Sequence, residues 1–155
     1  MRCSLDNSKA IALIRGGEEN AEISGRVEFY KRGNRVLVVA NIKGLPKTES
    51  GFFGFHIHEG TACTGEDFAD SKGHFNPENT PHPEHSGDLP PLLSCEDTAH
   101  LEVLTDRFKI GDIIGRTVII HNSPDDFTSQ PSGNAGRKIA CGVIKKARKK
   151  AILLF

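Results

Sequence analysis

Most of the chain alternates apolar and polar residues with a period of two, and this pattern constrains the fold more than any other feature. In residues 22–31, isoleucine, valine and phenylalanine occupy one face, and charged or polar residues occupy the other. Residues 35–43 repeat the pattern, and Gly33 and Asn34 between the two runs form a two-residue hairpin signal. The two runs are therefore predicted to pair as half-buried antiparallel strands.

Further short runs with strand character are separated by glycine and asparagine. They lie at residues 9–15, 51–58, 99–104, 116–121 and 138–144. Several short strands separated by turn-forming residues are typical of an all-β sandwich or barrel. The length of 155 residues, of which 37% are hydrophobic, predicts a single domain over residues 1–155 with one core.

The overall charge is balanced, with 20 Lys and Arg against 20 Asp and Glu. No global field therefore favours nucleic acid or an anionic membrane as a partner. We also expect no membrane span, because no apolar run reaches eighteen residues. Near the start only Ala10–Ile14 is apolar, too short for the core of an export signal. We expect a cytoplasmic protein, with a periplasmic or extracellular location left open for a chain whose leader has been removed.

Residues 59–96 show neither period and would form a loop longer than compact domains usually carry. Proline, glycine and polar residues dominate the segment, so disorder is one interpretation. The other is a metal site, because His74, His82, His85 and Asp88 are ligand types that tetrahedral zinc takes. Metal binding would then replace the hydrophobic burial that the segment lacks.

A second group of histidines lies in the predicted strands. His56 and His58 are two residues apart and so point to the same face of a strand. A surface pair without a role is the alternative interpretation. His121 ends another strand and adds a third imidazole, whereas His100 is expected to have no role.

Five motifs in order carry a resemblance to a known family. They are GFHIHEG, GHFNP, HPEHSGDLPPLL, GRTVIIHNSPDD and SGNAGRKIACGVI, within about residues 10–145. The chain resembles the copper/zinc superoxide dismutases. The resemblance implies an eight-stranded Greek-key β-barrel, an immunoglobulin-like sandwich, with long zinc-binding and electrostatic loops. It also implies disproportionation of superoxide to oxygen and hydrogen peroxide, with copper and zinc as cofactors.

Matched position by position, the resemblance implies two ligand sets that share one histidine. The copper set is His56, His58, His74 and His121, and the zinc set is His74, His82, His85 and Asp88. Four imidazoles suit copper(II), and three imidazoles with a carboxylate suit zinc. The shared His74 would bridge the two ions and store a proton during the cycle. Asp125 would hydrogen-bond one ligand of each set, and Cys63 and Cys141 would form a disulfide, leaving Cys3 and Cys95 free.

One position departs from the family pattern. The resemblance expects an arginine three residues before Cys141, where this chain has Lys138, with Arg137 one place earlier. A lysine keeps the cation but lacks the planar fork of a guanidinium. Lys138 and His74 are therefore the predicted catalytic residues, with Lys138 facing copper and docking the superoxide anion.

The basic and apolar tail, Lys145–Phe155, continues past the predicted last strand. A solvated terminus is one interpretation, and contact with a polyanion or another subunit, as in a homodimer, is the alternative. For the whole protein, the alternative to an enzyme is a non-catalytic metal-binding or copper-delivery domain of the same fold. Such a domain would be expected to lose one of the four copper-set histidines, and none is lost here.

Overall fold

A computed structural model describes residues 9–148. Their strands are β1 (Ala10–Gly16), β2 (Ser24–Arg32), β3 (Arg35–Lys43), β4 (Phe52–Phe53), β5 (Phe55–His58), β6 (Leu92–Leu93), β7 (Ala99–Thr105), β8 (Thr117–His121) and β9 (Lys138–Lys146). One short helix, α1 (Ile110–Ile113), and two 3-10 turns, Glu18–Asn20 and Glu66–Ser71, complete the regular structure of this part. The sequence pattern indicated none of these three helical pieces.

Seven strands form one curled antiparallel sheet in the order β5-β8-β9-β1-β2-β3-β7, and β4 pairs with β6 in a second sheet. The predicted hairpin joins β2 to β3, with Arg32 opposite Arg35 and Gly33 at φ +60°, where a side chain would be disfavoured. The all-β barrel-type fold predicted from the sequence is confirmed.

The core follows the period-two pattern. In β1, Ala10, Ala12 and Ile14 are fully buried, and Val27 and Phe29 of β2 are buried against them. Alternate residues of the same strands face solvent, since successive side chains of a strand point to opposite faces. Along β1, β2 and β3 the sheet therefore buries one face and leaves the other largely exposed, whereas β5 and β8 are buried on both faces.

Most predicted strand ends differ from the structure by one or two residues, and two differences change the interpretation. Residues 51–58 do not form one strand, because the run changes partner at Gly54: Phe53 pairs with Leu92, whereas Phe55 pairs with Ile120. The last strand continues to Lys146, so the first two lysines of the predicted tail belong to β9.

The far end of the predicted tail, residues 149–155, and the predicted free Cys3 lie outside the described residues. Within residues 9–148, no helix has the length and apolar character needed to cross a bilayer.

Candidate metal centre

Strands β5 and β8 supply three buried imidazoles at one end of the large sheet. The two strands pair directly, with Phe55 opposite Ile120 and His56 opposite Ile119. His56, His58 and His121 are exposed by no more than 4%. Their positions are thus fixed by a backbone ladder, with Phe55 and Ile57 anchoring β5 in the core.

The long segment that follows β5 is built onto the free edge of that strand. The Phe75 N–H donates to the Ile57 carbonyl at 2.8 Å, and the Ile57 N–H donates to the Gly87 carbonyl at 2.9 Å. Isolated bridges pair His58 with His74 and His56 with Asp88. These contacts bring the loop donors beside the strand donors, so within the described residues the segment is ordered against the sheet.

Two groups of ligand-type side chains result, and both are buried. One, the strand group, is His56, His58, His74 and His121; the other, the loop group, is His74, His82, His85 and Asp88. Within each group one potential ligand atom per residue lies within 4.8 Å of all the others. These are the two sets matched from the sequence, and His74 is common to both.

Hydrogen bonds to carbonyl oxygens determine which ring nitrogen of two strand histidines carries hydrogen. His58 Nδ1 lies 2.8 Å from the Lys72 carbonyl oxygen, and His121 Nδ1 lies 3.1 Å from that of Gly136. A carbonyl oxygen can only accept, so both Nδ1 atoms donate and both Nε2 atoms keep a lone pair. Those Nε2 atoms lie 3.2 Å apart, and a cation between them would relieve the repulsion of facing lone pairs.

Asp125 connects the two groups through one carboxylate. His56 Nε2 lies 2.7 Å from one of its oxygens, and His82 Nε2 lies 2.8 Å from the other. The carboxylate therefore accepts from one histidine of each group. This leaves Nδ1 of His56 and Nδ1 of His82 with a lone pair that can bind a metal ion. Gly133 makes room for this contact, since a Cβ there would lie 2.0 Å from an Asp125 oxygen, and its φ is +73°.

Asp88 organises the loop group. His74 Nδ1 lies 2.7 Å from one oxygen, while the His85 N–H donates to the other at 3.0 Å. His82 Nδ1 lies 2.9 Å from Asp88 Oδ2, although without hydrogen-bonding alignment. Nitrogen and oxygen donors thus converge on one point, as a tetrahedral zinc site requires.

The residues fit the two metal ions that the donor sets imply. Among residues 9–148, three buried ring nitrogens have no hydrogen-bond partner: His56 Nδ1, His74 Nε2 and His82 Nδ1. Buried polar atoms are rarely left unpaired, so an orphaned nitrogen inside a ligand group points to a metal ion as its partner. His74 is the informative case, because it belongs to both groups, its Nδ1 contacts Asp88 of the loop group and its Nε2 has no partner.

Electrostatics keep the donors in the metal-binding form. Burial lowers the pKa of His58 well below its ordinary value and the pKa of His121 to about 3, so both imidazoles stay neutral. Burial alone would raise the pKa of Asp125, but hydrogen bonds from its two histidine partners and a backbone N–H outweigh burial and lower it. The pKa of Asp88 is lowered in the same way, by its histidine neighbours against the effect of burial.

A disulfide and several side chains hold the loop in place. Cys63 is bonded to Cys141 of β9 across 78 residues, and Cys95 is free and exposed. Arg107 donates to the carbonyl oxygens of Pro83 and His85 at 2.7 and 3.2 Å.

The Gln130 side chain holds the loop from another direction, because it both donates to and accepts from the His82 backbone, at 2.7 and 2.9 Å. Nothing in the local sequence marked Arg107 or Gln130, which act through backbone atoms distant along the chain.

A cleft of about 470 Å³ opens onto the strand group. His58, His74 and His121 line it together with Lys72 and Lys138. The half-buried Lys138 donates from Nζ to the Ser71 hydroxyl at 2.9 Å and the Lys72 carbonyl at 2.8 Å, and burial lowers its pKa.

Arg137, the other cation named from the sequence, points elsewhere. It pairs with Asp67 at 2.8 Å and with Glu19 at 3.1 Å, and these contacts raise its pKa. It is absent from the lining of the cleft. His100 is exposed and lies in neither metal group of the described residues.

Comparison with known proteins gives one consistent result. The family described as copper/zinc superoxide dismutase matches residues 23–144. The chain is 37% identical over 142 residues to superoxide dismutase [Cu-Zn] 2 of Aquifex aeolicus, covering 80% of each chain. It is 35% identical over 156 residues to superoxide dismutase [Cu-Zn] 4 of Dictyostelium discoideum, covering 89% of this chain and 98% of the relative. With a match over most of its length, the chain belongs to the copper/zinc superoxide dismutase family.

Proposed function

We propose that the protein is a superoxide dismutase, an oxidoreductase that converts two superoxide anions and two protons into oxygen and hydrogen peroxide. His56, His58, His74 and His121 hold copper, and His74, His82, His85 and Asp88 hold zinc. The observation that carries the proposal is that His74 belongs to both buried donor groups, with Nδ1 at Asp88 and Nε2 unpartnered. No imidazole of the strand group is missing, which favours an enzyme over a copper-delivery domain.

Bound copper supplies a one-electron redox couple at the strand group, and zinc keeps one charge state and fixes the loop geometry. The chain supplies the remaining requirements, which are a proton, an entry route for an anion and fixed ligand orientations.

The proton can be held at His74 Nε2. That atom is buried without a hydrogen-bond partner, while Nδ1 is held by Asp88 at 2.7 Å. A proton on Nε2 therefore displaces no existing hydrogen bond. The imidazole also lines the cleft, so the stored proton lies where the reduced substrate would accept it.

Lys138 is the proposed docking cation. It lines the cleft beside His58 and His121, whereas Arg137 is neutralised by two carboxylates. Because the chain has no net charge, attraction of an anion must come from such local cations in a confined cleft. Lys72, exposed at the same cleft and in no ion pair of the described residues, adds a second positive charge, against one carboxylate, Glu59, in the lining.

The test is direct. The full chain is loaded with copper and zinc, metal content is measured, and superoxide decay is followed by stopped-flow absorbance. We expect a second-order decay rate proportional to copper content, with a protein lacking copper inactive. A fully copper-loaded protein that leaves superoxide decay unchanged would favour the non-catalytic alternative.

A further inference from the structure

A groove of about 730 Å³ lies on the exposed face of the large sheet, separate from the metal centre. Its lining includes Leu13 and Arg15 of β1, Ser24 and Arg26 of β2, and Asn41 and Lys43 of β3. None of the residues that line it belongs to either metal group or to the cleft above the strand group. The groove is therefore a different surface from the one used for superoxide.

Strand register places three cations around the groove. Arg15 lies opposite Ser24, which in turn lies opposite Lys43, so the two cations flank a small hydroxyl residue. Arg26 lies two residues after Ser24 in β2, on the same face of the strand, and opposite Asn41. Neighbouring strands are about 4.8 Å apart, which puts the backbones of the outer two cations roughly 10 Å apart. Side chains of this length can converge on one anionic group between them.

The charges of the groove are poorly compensated. No aspartate or glutamate lines it, and Arg15 and Lys43 take part in no ion pair within residues 9–148. Arg26 pairs with Glu28 through Nε at 3.0 Å, and its two terminal nitrogens remain available to donate to a ligand. In a chain with no net charge, this is a local positive excess that a bound anion would relieve.

The neutral groups of the groove also favour an anion, because they offer donors. His100 Nδ1 donates to Asn41 Oδ1 at 2.7 Å, so the Asn41 NH2 remains for a ligand. The hydroxyl of Ser24, which also lines the groove, is a second neutral donor. Leu13, 59% exposed on the groove wall, offers an apolar surface next to these donors.

We propose that this groove binds a small phosphomonoester with an apolar or aromatic part, the class to which mononucleotides belong. The phosphate lies among Arg15, Arg26 and Lys43, since guanidinium and ammonium groups are the usual phosphate donors of proteins. The apolar part packs on Leu13. The volume of the groove lies within the range of about 300–1,000 Å³ common for small-molecule sites.

The test is calorimetric titration of the full-length, copper- and zinc-loaded protein with AMP, adenosine and inorganic phosphate at low salt. The groove variant is Arg15→Gln with Lys43→Gln. Its control is Arg35→Gln with Lys47→Gln, which removes one exposed arginine and one exposed lysine from outside the groove. We expect the parent protein to bind AMP more tightly than it binds adenosine or inorganic phosphate. The groove variant should weaken AMP binding at least tenfold, and the control should weaken it less than twofold.

Four outcomes would overturn the proposal. Equal losses in the groove and control variants would mean that only net charge matters. If inorganic phosphate bound as tightly as AMP, the apolar part would contribute nothing to the affinity. If adenosine bound as tightly as AMP, the phosphate would contribute nothing. Loss of AMP binding in Lys138→Gln, with none in the groove variant, would place the ligand at the metal cleft. Leu13→Ser provides a further check, because it should weaken AMP but not phosphate.

Discussion

The strand group and the loop group are both buried and share His74, but they are held by different forces. His56, His58 and His121 stand on paired strands whose backbone ladder exists whether or not a metal binds. His82, His85 and Asp88 stand on a segment without such a ladder beyond its contacts with the edge of β5. The strand group is thus positioned by the fold, and the loop group by individual contacts.

Those contacts are few and come from distant parts of the chain. Arg107 holds the Pro83 and His85 carbonyls, Gln130 holds the His82 backbone, and the Cys63 disulfide ties the loop to β9. Each can be removed by one substitution, whereas a strand ladder cannot. The loop group is therefore expected to loosen before the strand group when the protein is perturbed.

The largest effect is expected from Cys63→Ser. The disulfide closes a loop of 78 residues, so its removal should lower the free energy of unfolding by about 4 to 5 kcal/mol on the chain-entropy estimate. Hydrogen exchange should rise earlier and by a larger factor in residues 59–91 than in β5 and β8, whose amides exchange only through global unfolding. Cys95→Ser is the matched control, because that thiol is free and exposed. Equal exchange in loop and strands would mean that the two groups are held alike.

Asp88→Ala should act mainly on zinc. Asp88 contacts all three histidines of the loop group. Loss of a residue that only hydrogen-bonds to a ligand lowers metal affinity by up to about 100-fold, so loss of a direct ligand should lower zinc affinity by more than that. Copper affinity should fall by less than tenfold, because the strand imidazoles keep their ladder. Competitive metal titration measures both affinities, and Glu84→Ala, an exposed loop carboxylate, is the control. Full zinc occupancy in Asp88→Ala would contradict the ligand assignment.

Lys138→Ala should lower the second-order rate of superoxide decay by about tenfold at low salt, with metal content unchanged. Added salt should reduce the difference in rate between parent and variant, because the Debye screening length falls from about 10 Å at 0.1 M to about 3 Å at 1 M. Arg137→Ala is the matched control, since its charge is already neutralised by Asp67 and Glu19. A loss of rate in Arg137→Ala without one in Lys138→Ala would reverse the assignment.

The strand group was predictable from the sequence because its spacing follows the two-residue period of a strand. His56 and His58 had to share a face, and Phe55 and Ile57 had to face the core. The break at Gly54 was not predictable, because it reflects a change of pairing partner from Leu92 to Ile120, and pairing across the sheet has no local signal.

Contacts through backbone atoms were invisible for the same reason. The Lys72 and Gly136 carbonyls fix the rings of His58 and His121, yet any residue type offers a carbonyl. The pairing of Arg137 with Glu19 joins positions 118 residues apart, so the carboxylates that offset its positive charge could be known only from the folded chain. The ligand types of the loop group could be read from the sequence, but the side chains that hold them could not.

The smallest effect is expected from Lys138→Arg, and it appears as a change in pH dependence. Burial lowers the pKa of Lys138 from its ordinary value of 10.5, so the ammonium loses its charge at a lower pH than an exposed lysine does. The decay rate should therefore fall as the pH rises through this lowered pKa. A guanidinium stays protonated throughout that range, so the variant should match or slightly exceed the parent at neutral pH and keep its rate further into the alkaline range. Stopped-flow rates at constant ionic strength from neutral pH upwards measure the difference. An identical alkaline decline in parent and variant would assign the titration to another group and leave Lys138 without a role in docking the anion.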